Sequence, residues 1–228
     1  MLVQLLTHTP DPERVVAAAA RLCYSASSID DLMGREKAEQ EKLLRKILDL
    51  GHFSVLEHVS FTFGVEGISR ACSHQLVRHR LASYSQQSQR YVSFDRQFEA
   101  VTPPTIAENP DLAAKYEALM EELHQQYCDF LAAGVPAEDA RFILPNAATT
   151  KIVISMNARE LNHFFRLRCC RRAQWEIQIM AKEMLKHARQ AAPLLFATAG
   201  PGCLDGACPE GKMTCGAIKE VRQEFAEL

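Results

Sequence analysis

Apolar and polar positions along the chain follow two periods, and their alternation marks out the elements. Residues 2–6 are a short apolar run closed by Thr9-Pro10-Asp11-Pro12, which predicts a strand ending in a turn. Asp11 is placed to cap, and Pro12 to open, a helix through the alanine run to Tyr24. A polar loop at 25–28 precedes a second helix over 36–50, with Leu43, Leu44, Ile47 and Leu48 on one face and Gly51 as its stop. Residues 59–65 alternate and are rich in β-formers, predicting a second strand.

Helical spacing returns over 69–80, with Ala71, Cys72, Leu76 and Val77 expected inward. The polar block 81–90 reads as a loop and 91–94 as an extended segment, and Pro103-Pro104 interrupts the chain. Residues 111–133 repeat Leu112, Tyr116, Leu119, Leu123, Tyr127 and Phe130 at steps of three and four, predicting a long helix ended by Gly134 and Pro136. A short helix over 138–144 and a strand over 149–156 follow. Asn157 stands where a cap belongs, with Glu160 three residues on. The helix it starts runs to Arg168, another covers 173–192, and a short polar helix is expected to finish the chain. Few strands among many helices, without regular alternation, point to an α+β fold built on a small antiparallel sheet. One domain is expected over 1–200, with a Cys- and Gly-rich tail at 201–228 packed on it or extending it.

At 228 residues the chain can bury a substantial core, and 47% hydrophobic with 24% charged residues is ordinary globular composition. A net charge of -2 supplies no overall attraction to nucleic acid or membrane, so any anion binding must be local. The first residues lack the basic flank of a signal peptide, and no apolar run approaches the ~18 residues of a membrane helix. A cytoplasmic protein is expected, with its eight cysteines as thiols.

Several motifs fall away on spacing. No Gly-x-Gly-x-x-Gly follows a strand, and Gly206-x-x-x-x-Gly211-Lys212 has Met213 where a phosphate loop needs Ser or Thr. Ser54-x-x-Glu57 matches a capping box, while His52, Glu57 and His58 lack the spacing that would put three ligands on one helical face. Cys203, Cys208 and Cys215 have gaps that fit no zinc pattern, so no metal site is assigned. Arg166, Arg168, Arg171 and Arg172 suit a helix C-terminus, yet arginine without lysine also suits planar, bidentate recognition.

The densest chemistry lies in Arg78-His79-Arg80 and the polar residues through Tyr91. On a helix Arg78 and Arg80 would diverge by roughly 200°, enough to reach two different ligands. Ser88 and Arg90 add a hydroxyl and a guanidinium suited to phosphate.

Arg78-His79-Arg80 followed after seven residues by Ser88 resembles the signature of the flavin-dependent thymidylate synthase family. Other stretches extend the resemblance in order: Gly51-His52-x-Ser54-x-x-Glu57-His58, Gln75-x-x-Arg78, Ser88-x-Arg90-Tyr91, Arg141-x-x-Leu144-Pro145, Asn157-Ala158-Arg159, Leu167-Arg168 and Ala173-Gln174-Trp175-Glu176-Ile177. The resemblance implies reductive methylation of dUMP to dTMP, with methylenetetrahydrofolate as carbon donor and NADPH-reduced FAD as hydride source. It implies FAD contacts from Ser54, Arg78, His79, Arg80, Gln86, Asn157, Arg159 and His163. It implies dUMP contacts from Gln75, Arg78, Gln86, Gln87, Ser88, Gln89, Arg90, Arg141 and Arg168, and a homotetramer whose sites draw on more than one subunit. Arg168 is the expected catalytic group, a guanidinium beside the uracil ring. No Pro-Cys pair is present, as expected for a mechanism without a cysteine nucleophile. Gln86 replaces the Glu of many members, and His163 the Asn of some. Two other classes stand beside this reading: a nucleic-acid-binding module using the arginine clusters, and a metal or redox protein using the cysteine tail.

Overall fold

The computed structural model describes residues 1–94 and 99–228. Strand β1 (Leu2–His8) leads to helices α1 (Pro12–Leu22), α2 (Ile29–Met33) and α3 (Lys37–Asp49), then to a 3-10 turn at Phe53–His58. Strand β2 (Ser60–Ser69), helix α4 (Arg70–Leu76) and strand β3 (Ala82–Gln86) follow. Helices α5 (Pro104–Ala107), α6 (Pro110–Ala132) and α7 (Ala137–Ala140) precede strand β4 (Thr149–Asn157). Helices α8 (Ala158–Arg168), α9 (Trp175–Ala191) and α10 (Ile218–Glu227) complete the order. The strands make one antiparallel sheet in the order β1-β2-β4-β3, and the fold is α+β as the pattern predicts. No helix among the described residues is long and apolar enough to cross a membrane.

The chain divides into two compact units. One comprises Met1–Leu2, Val65–Arg78 and Tyr84–Val153. Its core includes Val65, Ile68, Cys72, Leu76, Tyr127 and Ile152. Here the start of α4 is anchored by Arg70 and Ala71 N–H groups donating to the carbonyls of Ala148 and Asn146, each at 3.0 Å. The Asn109 side chain caps α6 by accepting from Asp111 and Leu112. Of α6 only Tyr127 is fully buried; Leu112, Leu119 and Phe130 are 46%, 49% and 40% exposed.

The other unit comprises Val3–Gly64, His79–Ser83 and Ile154–Leu228. Its centre is aromatic: Phe61 meets Phe196 edge-on at 5.2 Å, and Phe165 meets Phe196 at 5.9 Å and Phe164 at 5.8 Å. Such pairs each add about 0.5–1.5 kcal/mol beyond area burial. The Asn157 carboxamide accepts from Glu160 N–H at 2.8 Å and starts α8 as expected. Residues 201–228 are fastened here as well. Arg222 donates to the carbonyls of Cys203 and Gly206, Lys182 pairs with Glu224, and Phe225 and Val221 are buried.

Four expectations need correction. Asp11 does not cap α1: it is left-handed (φ 46°, ψ 56°), outside the extended region a capping side chain needs, and makes no such bond. Ser54-x-x-Glu57 is not a capping box; the segment is a 3-10 turn without a side-chain cap. The helix over 69–80 ends at Leu76, and Ala71 and Val77 face outward. Residues 82–86 are a strand rather than a loop. In addition, Ser28 forms a reciprocal capping box with Asp31 and starts α2, a helix the hydrophobic pattern did not predict.

Candidate functional site

Because α4 ends early, Arg78-His79-Arg80 lies on irregular backbone, and the helical divergence argued for its arginines does not apply. Arg78 and Arg80 are exposed, and neither makes a hydrogen bond or ion pair with the described residues. His79 is 5% exposed and engaged through both ring nitrogens.

In the first unit, the residues expected to hold a nucleotide are tied into local structure. Gln86 donates from its amide nitrogen to Ser73 Oγ at 2.9 Å and Thr150 Oγ1 at 3.2 Å, two buried hydroxyls that fix the end of β3. Gln87 N–H donates to the carbonyl of Lys151 at 2.9 Å. Ser88 Oγ accepts from Arg90 N–H at 3.2 Å, closing a polar turn. Arg90 Nε donates to Glu138 Oε2 at 3.0 Å, and its guanidinium lies 5.4 Å from the Tyr91 ring centroid. Arg141 Nε donates to the Glu138 carbonyl at 3.1 Å, so Glu138 organises both arginines. Arg70 joins them electrostatically: its pKa is lowered, chiefly by burial and then by the Arg141 charge. Gln75 is half-buried on α4, and Gln89 is half-buried in the turn beyond β3.

In the second unit, α8 carries the chemistry. Glu160, Phe164 and Arg168 are spaced by four and share a helical face. His79 sits on that face, its Nδ1 3.1 Å from Glu160 Oε1 and its Nε2 accepting from Arg168 Nε at 3.0 Å. Phe164 packs edge-on against the imidazole at 5.0 Å, and His163 lies 6.0 Å from it. The His79 pKa is lowered, first by burial; Glu160 pulls it up, and Arg168 and His163 push it down. About 100° round α8 from this face, Arg159 pairs with Glu57. Arg159 and His163 line a cleft of about 620 Å³ together with Arg45, Phe53, Asn162, Arg166 and the 197–202 segment. Ser54 is exposed on the 3-10 turn, outside the cleft lining, and Asn157 spends its carbonyl oxygen on the α8 cap.

Glu160, Glu138, Glu57 and Arg70 were not singled out from the sequence for these contacts. The clearest available signal was the i, i+8 spacing of Glu160 and Arg168 on one predicted helix. In the tail, the Cys203 thiol pKa is raised, first by burial and then by the nearby Cys208, Cys170 and Cys215. Among the described residues, no group of three or more His, Cys, Asp or Glu side chains is arranged to hold a metal ion.

Comparison with known proteins adds an independent line. A family model described as thymidylate synthase complementing protein matches residues 4–194. The flavin-dependent thymidylate synthase of Geobacter sulfurreducens is 57% identical, covering 100% of this chain and 99% of its own. That of Clostridium tetani is 46% identical over 98% and 96% of the two chains. That of Nitratidesulfovibrio vulgaris is 50% identical over 94% of each.

Proposed function

The chain belongs to the thymidylate synthase complementing protein family, the flavin-dependent thymidylate synthases, and on that premise we propose that it reductively methylates dUMP to dTMP. Methylenetetrahydrofolate is the carbon donor and NADPH the source of reducing equivalents. The observation that carries the reading is Arg168, a half-buried guanidinium held by its Nε against His79. A cation fixed beforehand stabilises charge as it develops, and such preorganisation is often the largest catalytic contribution. Arg168 meets the uracil at N3 and O2, where negative charge collects as C5 becomes electron-rich.

The donor set fits FAD. Exposed Arg78 and Arg80 offer guanidinium forks for a diphosphate, and Arg159, His163, Ser54 and Asn157 add polar groups for ring and ribose. The buried His79 ring leaves the backbone as that residue's means of touching a cofactor. Bound FAD supplies the hydride that completes the methyl group. Gln75, Arg78, Gln86, Gln87, Ser88, Gln89, Arg90 and Arg141 hold dUMP, with the arginines and the Ser88 hydroxyl directed at its phosphate.

No cysteine is required to attack the ring. Burial pushes the Cys169 thiol up to about 12 and raises those of Cys170 and Cys203. A homotetramer with sites shared between subunits accounts for the apolar side chains that α6 leaves exposed.

The test is direct. Purified protein reconstituted with FAD should show a flavin spectrum that NADPH bleaches, and should form dTMP from dUMP and methylenetetrahydrofolate. Protein that takes up no flavin, or that makes no dTMP when loaded, would sink this reading.

A further inference from the structure

The Glu160, His79 and Arg168 contacts have a determined direction. An arginine Nε always carries hydrogen and can only donate, so His79 Nε2, 3.0 Å away, must present its lone pair. The neutral imidazole then carries its proton on Nδ1 and donates it to Glu160 Oε1 at 3.1 Å. Glu160 and His79 are 6% and 5% exposed, and Phe164 closes one side of the ring at 5.0 Å. The Asn157 cap anchors the backbone of Glu160, so the carboxylate end of the chain is itself held.

We infer that His79 is a positioning residue for the reaction: a neutral, Nδ1-protonated imidazole, fixed by Glu160, that holds Arg168 by its Nε and thereby aims the terminal guanidinium nitrogens. This rests on the reading of Arg168 as the uracil-binding group. Loss of the accepting nitrogen of His79 would let the long Arg168 side chain sample other rotamers, and a small displacement of a charge-stabilising group costs catalysis out of proportion to binding.

The charges around the ring set a pH dependence. Among the described residues, the titratable groups facing His79 are Glu160, His163 and Arg168, all on α8. Protonating Nε2 destroys the acceptor and sets two cations against each other. Burial and Arg168 hold the His79 pKa below its ordinary value, so the arrangement is intact at neutral pH and fails as pH falls through that lowered pKa.

Two substitutions separate the halves of the chain. In His79→Gln the amide oxygen reaches the position of Nε2 and still accepts from Arg168. In His79→Asn the shorter amide can still donate to Glu160, but nothing accepts from Arg168. On FAD-loaded protein, His79→Asn should lose at least about tenfold in kcat for dTMP, with KM for dUMP within about threefold. His79→Gln should stay within about threefold of the parent. Flavin content and NADPH-dependent flavin reduction should survive in both. The acid limb of the parent's rate profile should be absent in His79→Gln.

Equal turnover in the two variants after correction for folded fraction, or an acid limb that persists in His79→Gln, would overturn the inference. Imidazole nitrogen NMR on the unsubstituted protein gives a readout apart from activity. It should find His79 protonated at Nδ1 and bare at Nε2 at neutral pH; the opposite tautomer would refute the inference even if dTMP forms. A parent enzyme that makes no dTMP, with the expected tautomer present, would fault the proposed function instead.

Discussion

At the residue scale, the structure separates side chains that hold others from side chains available to a ligand. His79, Gln86 and Asn157 each have polar atoms committed to the fold, whereas Arg78 and Arg80 are exposed. Arg168 is held as well, its Nε committed to His79. Replacing it with alanine should lower kcat for dTMP by about two to three orders of magnitude while FAD remains bound. Turnover near the parent's would remove Arg168 from its role, whatever its effect on stability. The residue types were legible in the chain: an Arg-His-Arg triplet, Ser88-x-Arg90 and Arg168 carry the chemistry of anion binding in their side chains. Their partners were not. Glu160 and His79 are separated by 81 positions, and no spacing rule spans that distance.

At the element scale, caps and periods were readable where local forces suffice. Asn157 caps α8 because a carboxamide at that position reaches the third N–H of the helix without tertiary help. Asn157→Ala should therefore destabilise the protein by about 1 kcal/mol. It should also loosen Glu160 and hence His79; denaturant unfolding followed by circular dichroism measures the first effect. A change within error of zero would show that packing alone holds the start of α8. Strand β3 marks the limit of the pattern. Its residues, Ala-Ser-Tyr-Ser-Gln, do alternate, with Ala82, Tyr84 and Gln86 half-buried and Ser83 and Ser85 exposed, but five residues without Val, Ile, Leu or Phe, set in a polar block, give a period too weak to mark a strand. The strand exists because it lies at the sheet edge beside β4, with backbone pairing continuing at Gln87 to Lys151. Backbone hydrogen bonds of that kind leave little trace in side-chain composition.

At the scale of the whole molecule, α6 presents a row of exposed apolar side chains. The helix is 23 residues long, yet Leu112, Leu119 and Phe130 remain substantially exposed despite their regular spacing. Burying one such side chain is worth about 1.5–3 kcal/mol, which makes this face a candidate for contact with further copies of the chain. Leu119→Glu should leave the melting temperature of the individual chain within a few degrees but shift light-scattering mass toward smaller species, with FAD lost in parallel. Unchanged mass would place the subunit contacts elsewhere. By itself, the sequence determined the α+β class, most helices, the main strands and the motifs that mark the family, because periodicity, caps and side-chain chemistry are local properties. Only the tertiary structure decided that the polar block contains an edge strand, that His79 is buried between Glu160 and Arg168, and which direction their hydrogen bonds run. Those features depend on segments far apart in the chain, whose joining is settled by burial and the requirement that each buried polar group find a partner.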